Sequence, residues 1–292
     1  MDIKIKFWGV RGSRPTPRKD TILFGGNTSC IQMQLGGRNF IFDGGTGLAE
    51  LGKAMVKSQL GQGEIFFSHL HWDHIQGIPF FTPLYVKGNS FRLYGEDKEG
   101  MKFEEAIKSQ MMPPWFPVTM DTMNADYEFI SIGPKMELTF DEDIRVKTFA
   151  LNHPNQSLAF RIEKGNSSVV YCTDTEPVEE DRKAKFYDFL RAADVLIYDS
   201  HFTDEEYHGL VDGEHKKKWG HSTWEEGVRI SREADIAYLL LFHHKEDRTD
   251  EELKEIQQQS QGKFKNSLVA MEGMTIEIGG GSPEKVVINY PH

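Results

Sequence analysis

The sequence predicts an α/β protein in which two mixed β-sheets pack face to face with helices on the outside. Short β-rich runs recur along the whole chain, separated by glycines. Helical spacings are interspersed among them rather than gathered at one end, and strand clusters open each half. Each sheet has an apolar face that must be buried, and sheet on sheet flanked by helices satisfies this order. The 292 residues lie at the upper end of what one core can organise, so one domain is expected over 1–292.

Taken in order, Ile3 to Phe7 alternates apolar residues with lysine, a half-buried strand pattern. Ser29 to Leu35 and Asn39 to Asp43 form an expected hairpin closed by Gly36-Gly37. Ile65-Phe66-Phe67 is short and wholly apolar, hence a buried strand. Further strands are expected at 144–151, 157–162, 167–172, 195–198, 238–242, 267–269 and 274–278. Helical spacing appears at 48–56, 102–111, 179–192, 224–234 and 250–259. The stretch at about 91–130 is Met-, Pro- and aromatic-rich around Met111 to Pro117, and is expected to be a lid or insertion.

Composition narrows the function. Apolar residues make up 38% and charged ones 27%, a globular balance. Lys+Arg number 34 against 45 Asp+Glu, a formal charge of −11 that disfavours a basic nucleic-acid surface. No apolar run approaches the roughly 18–20 residues needed to cross a bilayer, so no membrane partner is expected. The first residues lack the apolar core of a secretory signal. Two cysteines, Cys30 and Cys172, are too few for a disulfide scaffold; two buried thiols in a reducing cytoplasm are expected.

The strongest signal is Ser68-His-Leu-His-Trp-Asp-His74, directly after a buried strand. Imidazole and carboxylate are the usual ligands of first-row transition metals, and a strand end holds them rigidly. His69 and His71, two apart in extended chain, project to one side. Asp73 and His74 lie where the chain turns, so one segment can serve two adjacent ions.

At this point the chain resembles the metallo-β-lactamase superfamily, in its phosphodiesterase-like branch. Asp43-Gly-Gly-Thr-Gly47 looks like the first motif of that family, and His69 to His74 like the second. His153 in Leu-Asn-His-Pro, Asp174 in Tyr-Cys-Thr-Asp-Thr and His243 match the third, fourth and fifth, in order. The resemblance implies a four-layer αββα sandwich and two divalent ions. His69, His71 and His153 would hold one, Asp73, His74 and His243 the other, with Asp174 bridging. Zinc is the first expectation because it needs no redox protection and lowers the pKa of bound water; manganese and iron also fit these ligands. Asp43 would orient motif histidines. Register favours His243 over His244 as the ligand, with His244 behind it. His71 stands where flavodiiron-type relatives carry glutamate, which favours hydrolysis over redox chemistry.

Two further landmarks concern the substrate. Gly220-His-Ser-Thr-Trp-Glu-Glu226 reads locally as a helix start that Ser222 or Thr223 can cap, with a capping-box spacing from Ser222 to Glu225. By resemblance to phosphodiesterase members, His221 would contact phosphate or protonate the leaving group. Trp8-Gly-Val-Arg-Gly-Ser13 looks like the same branch, and places Arg11 and Ser13 as candidates to line the cleft. Asp73 and His221 are thus the expected catalytic residues, serving a bridging hydroxide between the ions. His201 has no assignable role. Trp115 and Phe116 are candidates to stack on a base. The implied activity is hydrolysis of a small or cyclic phosphodiester such as a cyclic nucleotide. The alternatives are tRNA 3′-end processing, disfavoured by the charge and by the lack of a basic arm, and a non-catalytic metal-binding module. A homodimer is consistent with the resemblance.

Overall fold

In strand β1 (Ile3–Gly9) every other residue is buried: Ile3, Ile5 and Phe7 point inward while Lys4 and Lys6 remain partly exposed. It pairs antiparallel with β2 (Cys30–Leu35), which turns through a tight hairpin into β3 (Arg38–Phe42). In the computed structural model, which describes residues 2–279 and 285–291, parallel pairing then adds β4 (Gln62–Phe66), β5 (Ser90–Gly95) and β6 (Asp126–Ser131). On the other side β1 pairs with β14 (Thr275–Ile278), and β14 with β15 (Val286–Asn289), giving a mixed eight-stranded sheet.

The second sheet has seven strands. β7 (Glu137–Phe140), β8 (Ile144–Ala150), β9 (Leu158–Lys164) and β10 (Ser167–Cys172) run antiparallel in turn. β11 (Val195–Asp199), β12 (Tyr238–Phe242) and β13 (Ser267–Val269) continue from β10 in parallel. β10 and β11 are buried at every position, as strands covered on both faces must be.

One apolar cluster fills the space between the sheets. Phe7 meets Phe242 at 6.1 Å, and Phe42 meets Tyr171 at 6.0 Å. A second cluster lies outside the first sheet, where Leu51 and Met55 of α1 (Gly47–Lys57) and Phe103 of α3 (Phe103–Ser109) cover Ile41, Ile65 and Phe67. Outside the second sheet, Val228 of α6 (Trp224–Glu233) and Leu253 and Ile256 of α7 (Asp250–Lys263) join the main core, with Phe186 of α4 (Glu180–Leu190). The layers are helix, sheet, sheet, helix, as expected. Two one-turn helices, α2 (Trp72–Ile75) and α5 (Asp204–Tyr207), lie in loops at the strand ends.

The stretch at 91–130 departs from expectation. Its ends are β5 and β6, the next-to-last and last strands of the first sheet, and α3 between them packs on that sheet. The loop between β5 and α3 and the turns between α3 and β6, which carry Trp115 and Phe116, are its parts without regular strand or α-helix. Among the described residues no helix is long and apolar enough to cross a membrane. Cys30 and Cys172 are both free and buried.

Candidate metal centre

The parallel strands of both sheets end at one edge, and the site residues follow those ends. Asp43 comes after β3, Ser68 to His74 after β4, Asp174 after β10, Asp199 closes β11 and His243 follows β12. Ligand sites of open α/β sheets lie at such carboxyl ends. Asp43, Asp174 and His243 have φ of 60°, 52° and 59°, a left-handed conformation that side chains other than glycine adopt at a cost of about 1–3 kcal/mol. Three strained residues at one sheet edge mark a place where side-chain direction matters more than backbone comfort.

Four atoms define the tighter half of the site. His74 Nε2 lies 3.2 Å from Asp73 Oδ2 and from Asp174 Oδ1. His243 Nε2 is also 3.2 Å from each, and the two imidazole nitrogens are 3.3 Å apart. These five spacings are close to the donor–donor separation around a tetrahedral ion whose bonds are roughly 2 Å long, the length of a Zn–N or Zn–O bond. The other half gathers His69, His71 and His153, whose donor atoms fall within 4.8 Å of one another. His71 Nδ1 is 3.2 Å from His153 Nε2. Asp174 turns Oδ2 to this half, 3.6 Å from His69 Nε2 and 4.0 Å from His153 Nε2. Its two oxygens therefore face the two halves.

Hydrogen bonds at the outer nitrogens aim these rings. His74 Nδ1 donates to Asp43 Oδ2 at 2.8 Å and His153 Nδ1 to the Gly220 carbonyl at 2.9 Å. Asp43 also accepts from Ser68 N and Oγ and from the Tyr171 hydroxyl. Ser68 Oγ, its proton given to Asp43, can accept from His69 Nδ1 at 3.1 Å. Inward-facing Nε2 lone pairs result at His69, His74 and His153. Gly220, at φ 90°, makes the His153 contact possible, since a Cβ there would come 2.0 Å from His153 Nδ1.

The donor set fits divalent cations. His69 Nε2 is buried without a hydrogen-bond partner, and burial pushes the His69 imidazolium well below its usual range and that of His153 down to about 4. Both are held neutral, the form that ligates. Burial also opposes a charge on His74, but Asp174, Asp73 and Asp43 outweigh it and favour the cation. A cage whose field draws positive charge onto a buried imidazole is one that would hold a metal ion.

The other expected residues divide. His221 sits at the mouth with Ser13, Asp73 and Asp174, and its Nδ1 donates to Asp199 Oδ2 at 2.9 Å. Burial lowers its basicity, yet Asp199, followed by Asp174 and Asp73, raises the pKa to about 9. Ser13 contributes its backbone N–H, which donates to Asp73 Oδ2 at 2.8 Å. Arg11 does not line the cleft. It is fully buried, its Nε donates to the Gly25 carbonyl and its Nη1 to that of Arg248, so it ties two loops together. His244 is committed outside the cage: its Nε2 bonds the Ala270 carbonyl, and burial lowers its pKa to about 3. Of the two residues expected to cap this helix, Ser222 and Thr223, the structure uses Thr223, which accepts from Glu226 N. Ser222 instead donates its N–H to Asp199 Oδ1.

Asp199 is a site residue that the sequence does not point to, and His201, which the sequence leaves without a role, joins the site as well. Asp199 carries the His221 contact, and the one available signal was a carboxylate ending a run of apolar residues that had to be buried with a partner. His201 stacks on His221 with ring centres 4.4 Å apart and planes 21° apart, and its Nδ1 lies 3.2 Å from the His243 carbonyl. Trp115 and Phe116 line a cleft that also reaches His69 and His71.

A sandwich of this order with a two-part His/Asp cage at one sheet edge defines a metallo-β-lactamase-type hydrolase scaffold. Residues 36–244 match the model of the beta-lactamase superfamily domain, and the chain belongs to that family. It is 23% identical to a ribonuclease Z of Pyrococcus furiosus over 82% of this chain and 86% of that one. Among solved structures it is similar to the metallo-beta-lactamase fold protein YhfI of Bacillus subtilis, with 22% identity, a TM-score of 0.69, and 94% and 98% of the two chains covered. The short form of human tRNase Z follows at 20% identity and a TM-score of 0.65, again covering 94% and 98%.

Proposed function

We propose that this protein is a binuclear metal-dependent phosphodiesterase. The observation that carries the reading is the Asp199-supported His221 at the mouth of the two-part cage, a proton donor where a leaving group would depart. His69, His71 and His153 would hold one cation, Asp73, His74 and His243 the other, and Asp174 would bridge, with zinc first and manganese or iron next. When bound, two such cations supply a nucleophile from water near neutral pH and neutralise charge on a phosphoryl group.

The chain's own residues account for the rest. Asp73 and Asp174 are held as carboxylates by the surrounding imidazoles, although burial opposes this. Both are therefore ready as anionic ligands, and Asp73 would accept a hydrogen bond from the attacking water with the oxygen that it does not give to a cation, which orients the water's lone pair. His221, with Nδ1 anchored on Asp199, presents Nε2–H to the departing oxygen. As the P–O bond breaks, that proton passes to the alkoxide, and Asp199 keeps the ring oriented throughout. His201, stacked on the same ring, limits its rotation.

The relatives shift the first substrate to test. The ribonuclease Z likeness extends over most of both chains and supports RNA 3′-end processing ahead of the small or cyclic phosphodiester that the sequence suggested. The charge of −11 keeps a small nucleotide ester as the second reading, because a polyanion gains little from such a surface. The two buried free thiols fit a cytoplasmic enzyme. Zinc-loaded protein should hydrolyse bis(p-nitrophenyl) phosphate. A tRNA precursor compared with 2′,3′- and 3′,5′-cyclic nucleotides then separates the two substrates, and inactivity on all of them with metal bound would support a non-catalytic binding module instead.

A further inference from the structure

The cleft that begins at His69 and His71 runs outward to about 980 Å³, the top of the range for small-molecule sites and far more than a phosphoryl group fills. Trp72 and Trp115, both on its wall, are 81% and 79% exposed. They come from separate segments, Trp72 directly after a ligand histidine and Trp115 from the turns between α3 and β6. Among the described residues neither ring stacks on another aromatic. The segment that carries Trp115 is anchored beside it, where the Phe116 ring meets Phe80 edge-on at 5.8 Å. Two large flat apolar faces are thus presented to water beside the reacting centre, where nothing in the hydrolytic step uses them.

The occupant follows from what else the wall holds. Because the cleft is continuous with His69 and His71, whatever fills it is attached to the phosphorus or lies next to it. Gln110 also lines it, and its Nε2 is buried with no hydrogen-bond partner. A simple alkyl group would cover the tryptophans but leave that amide donor unsatisfied, which costs about as much as a lost hydrogen bond. A heteroaromatic ring satisfies both, with a π face for stacking and ring or carbonyl acceptors on its edge.

We propose that this cleft is a nucleobase subsite, in which the base of a nucleotide bearing the scissile phosphate stacks on Trp115 or Trp72 and accepts a hydrogen bond from Gln110. The position of the phosphate rests on the phosphodiesterase reading; the base preference does not. The test is calorimetric binding of AMP and of ribose 5-phosphate to the zinc-loaded protein, with Trp115→Ala, Trp72→Ala and Gln110→Ala. AMP should bind at least tenfold tighter than ribose 5-phosphate. One or both tryptophan variants should cut that ratio by roughly 5- to 150-fold, the range that losing one base stack carries. Both indole rings are largely in solvent, so truncation leaves the core intact. Equal affinity for the two ligands, or an unchanged ratio in both tryptophan variants, overturns the subsite, as does dodecyl phosphate binding tighter than AMP. Base preference without turnover of any phosphodiester would instead remove the activity and leave the subsite standing. Turnover without base preference would do the reverse.

Discussion

His221 is separable from the cage by its contacts. Its Nδ1 is committed to Asp199, and Asp174 is 3.9 Å away, so removing the ring should cost proton donation and not metal. His221→Ala should retain its zinc by elemental analysis while turnover falls roughly 10²–10⁴-fold, the usual weight of a general acid. Matching metal loss would make His221 a ligand. Asp43 predicts the opposite profile. It touches the cage only through His74, Ser68 and Tyr171, and Asp43→Asn should weaken zinc binding by roughly 10–100-fold, as loss of an orienting carboxylate does, with turnover restored at saturating zinc. At this scale the sequence is legible where candidate ligands are adjacent. Four of them fall between His69 and His74, no structural need explains such density, and the fold gathers them with Asp174 and His243 at one sheet edge. It was not legible where a single residue is read without its surroundings. Arg11 looks like a residue lining the cleft because an arginine beside such a motif is ordinarily exposed, and only its burial on three carbonyls shows otherwise.

Among elements, two of the strands that the sequence does not announce, β6 and β7, share a physical cause. β6 has no buried residue and alternates only between exposed and intermediate positions, and in β7 only Phe140 is buried. Edge strands with little burial leave no period-2 apolar signal. β5 is better buried, but it adjoins a Met- and Pro-rich stretch whose composition dominated the reading. Helix α6 was legible, and its start yields a pH prediction. Glu225 Oε2 accepts from Asp204 N at 3.1 Å, and burial, aided by Asp204, raises its pKa to about 7. The folded chain then holds a proton between about pH 4.5 and 7 that the unfolded chain has released. Its contribution to stability is complete below the unfolded pKa and is lost as pH rises through 7. Glu225→Gln keeps the acceptor and removes the charge, so the variant's melting temperature relative to the parent should climb from pH 5 to pH 8. A constant difference across that range would mean the carboxyl is not raised.

The whole molecule is held at its active edge by residues from both sheets. His69, His71, Asp73 and His74 follow β4 of the first sheet; Asp174 and His243 follow β10 and β12 of the second, and His153 lies in the loop between β8 and β9. Cations at the cage would therefore tie the two halves together, on top of the apolar core between them. Without them the edge has buried carboxylates close to imidazoles, and His69 Nε2 and His243 Nδ1 lack partners. A metal that binds the folded chain alone stabilises it by about 2.7 kcal/mol per site at 100 times its dissociation constant. For a chain of this size two such sites should raise the melting temperature by roughly 10 °C. Chelation of zinc-loaded protein should reverse that rise, and readdition of zinc should restore it. His69→Ala should shrink the chelation effect while leaving much of it, because the tighter donor set of Asp73, His74, Asp174 and His243 does not include His69. Equal melting temperatures with and without chelator, in protein shown to carry zinc, would place the ions elsewhere and break the link between the cage and the joining of the sheets.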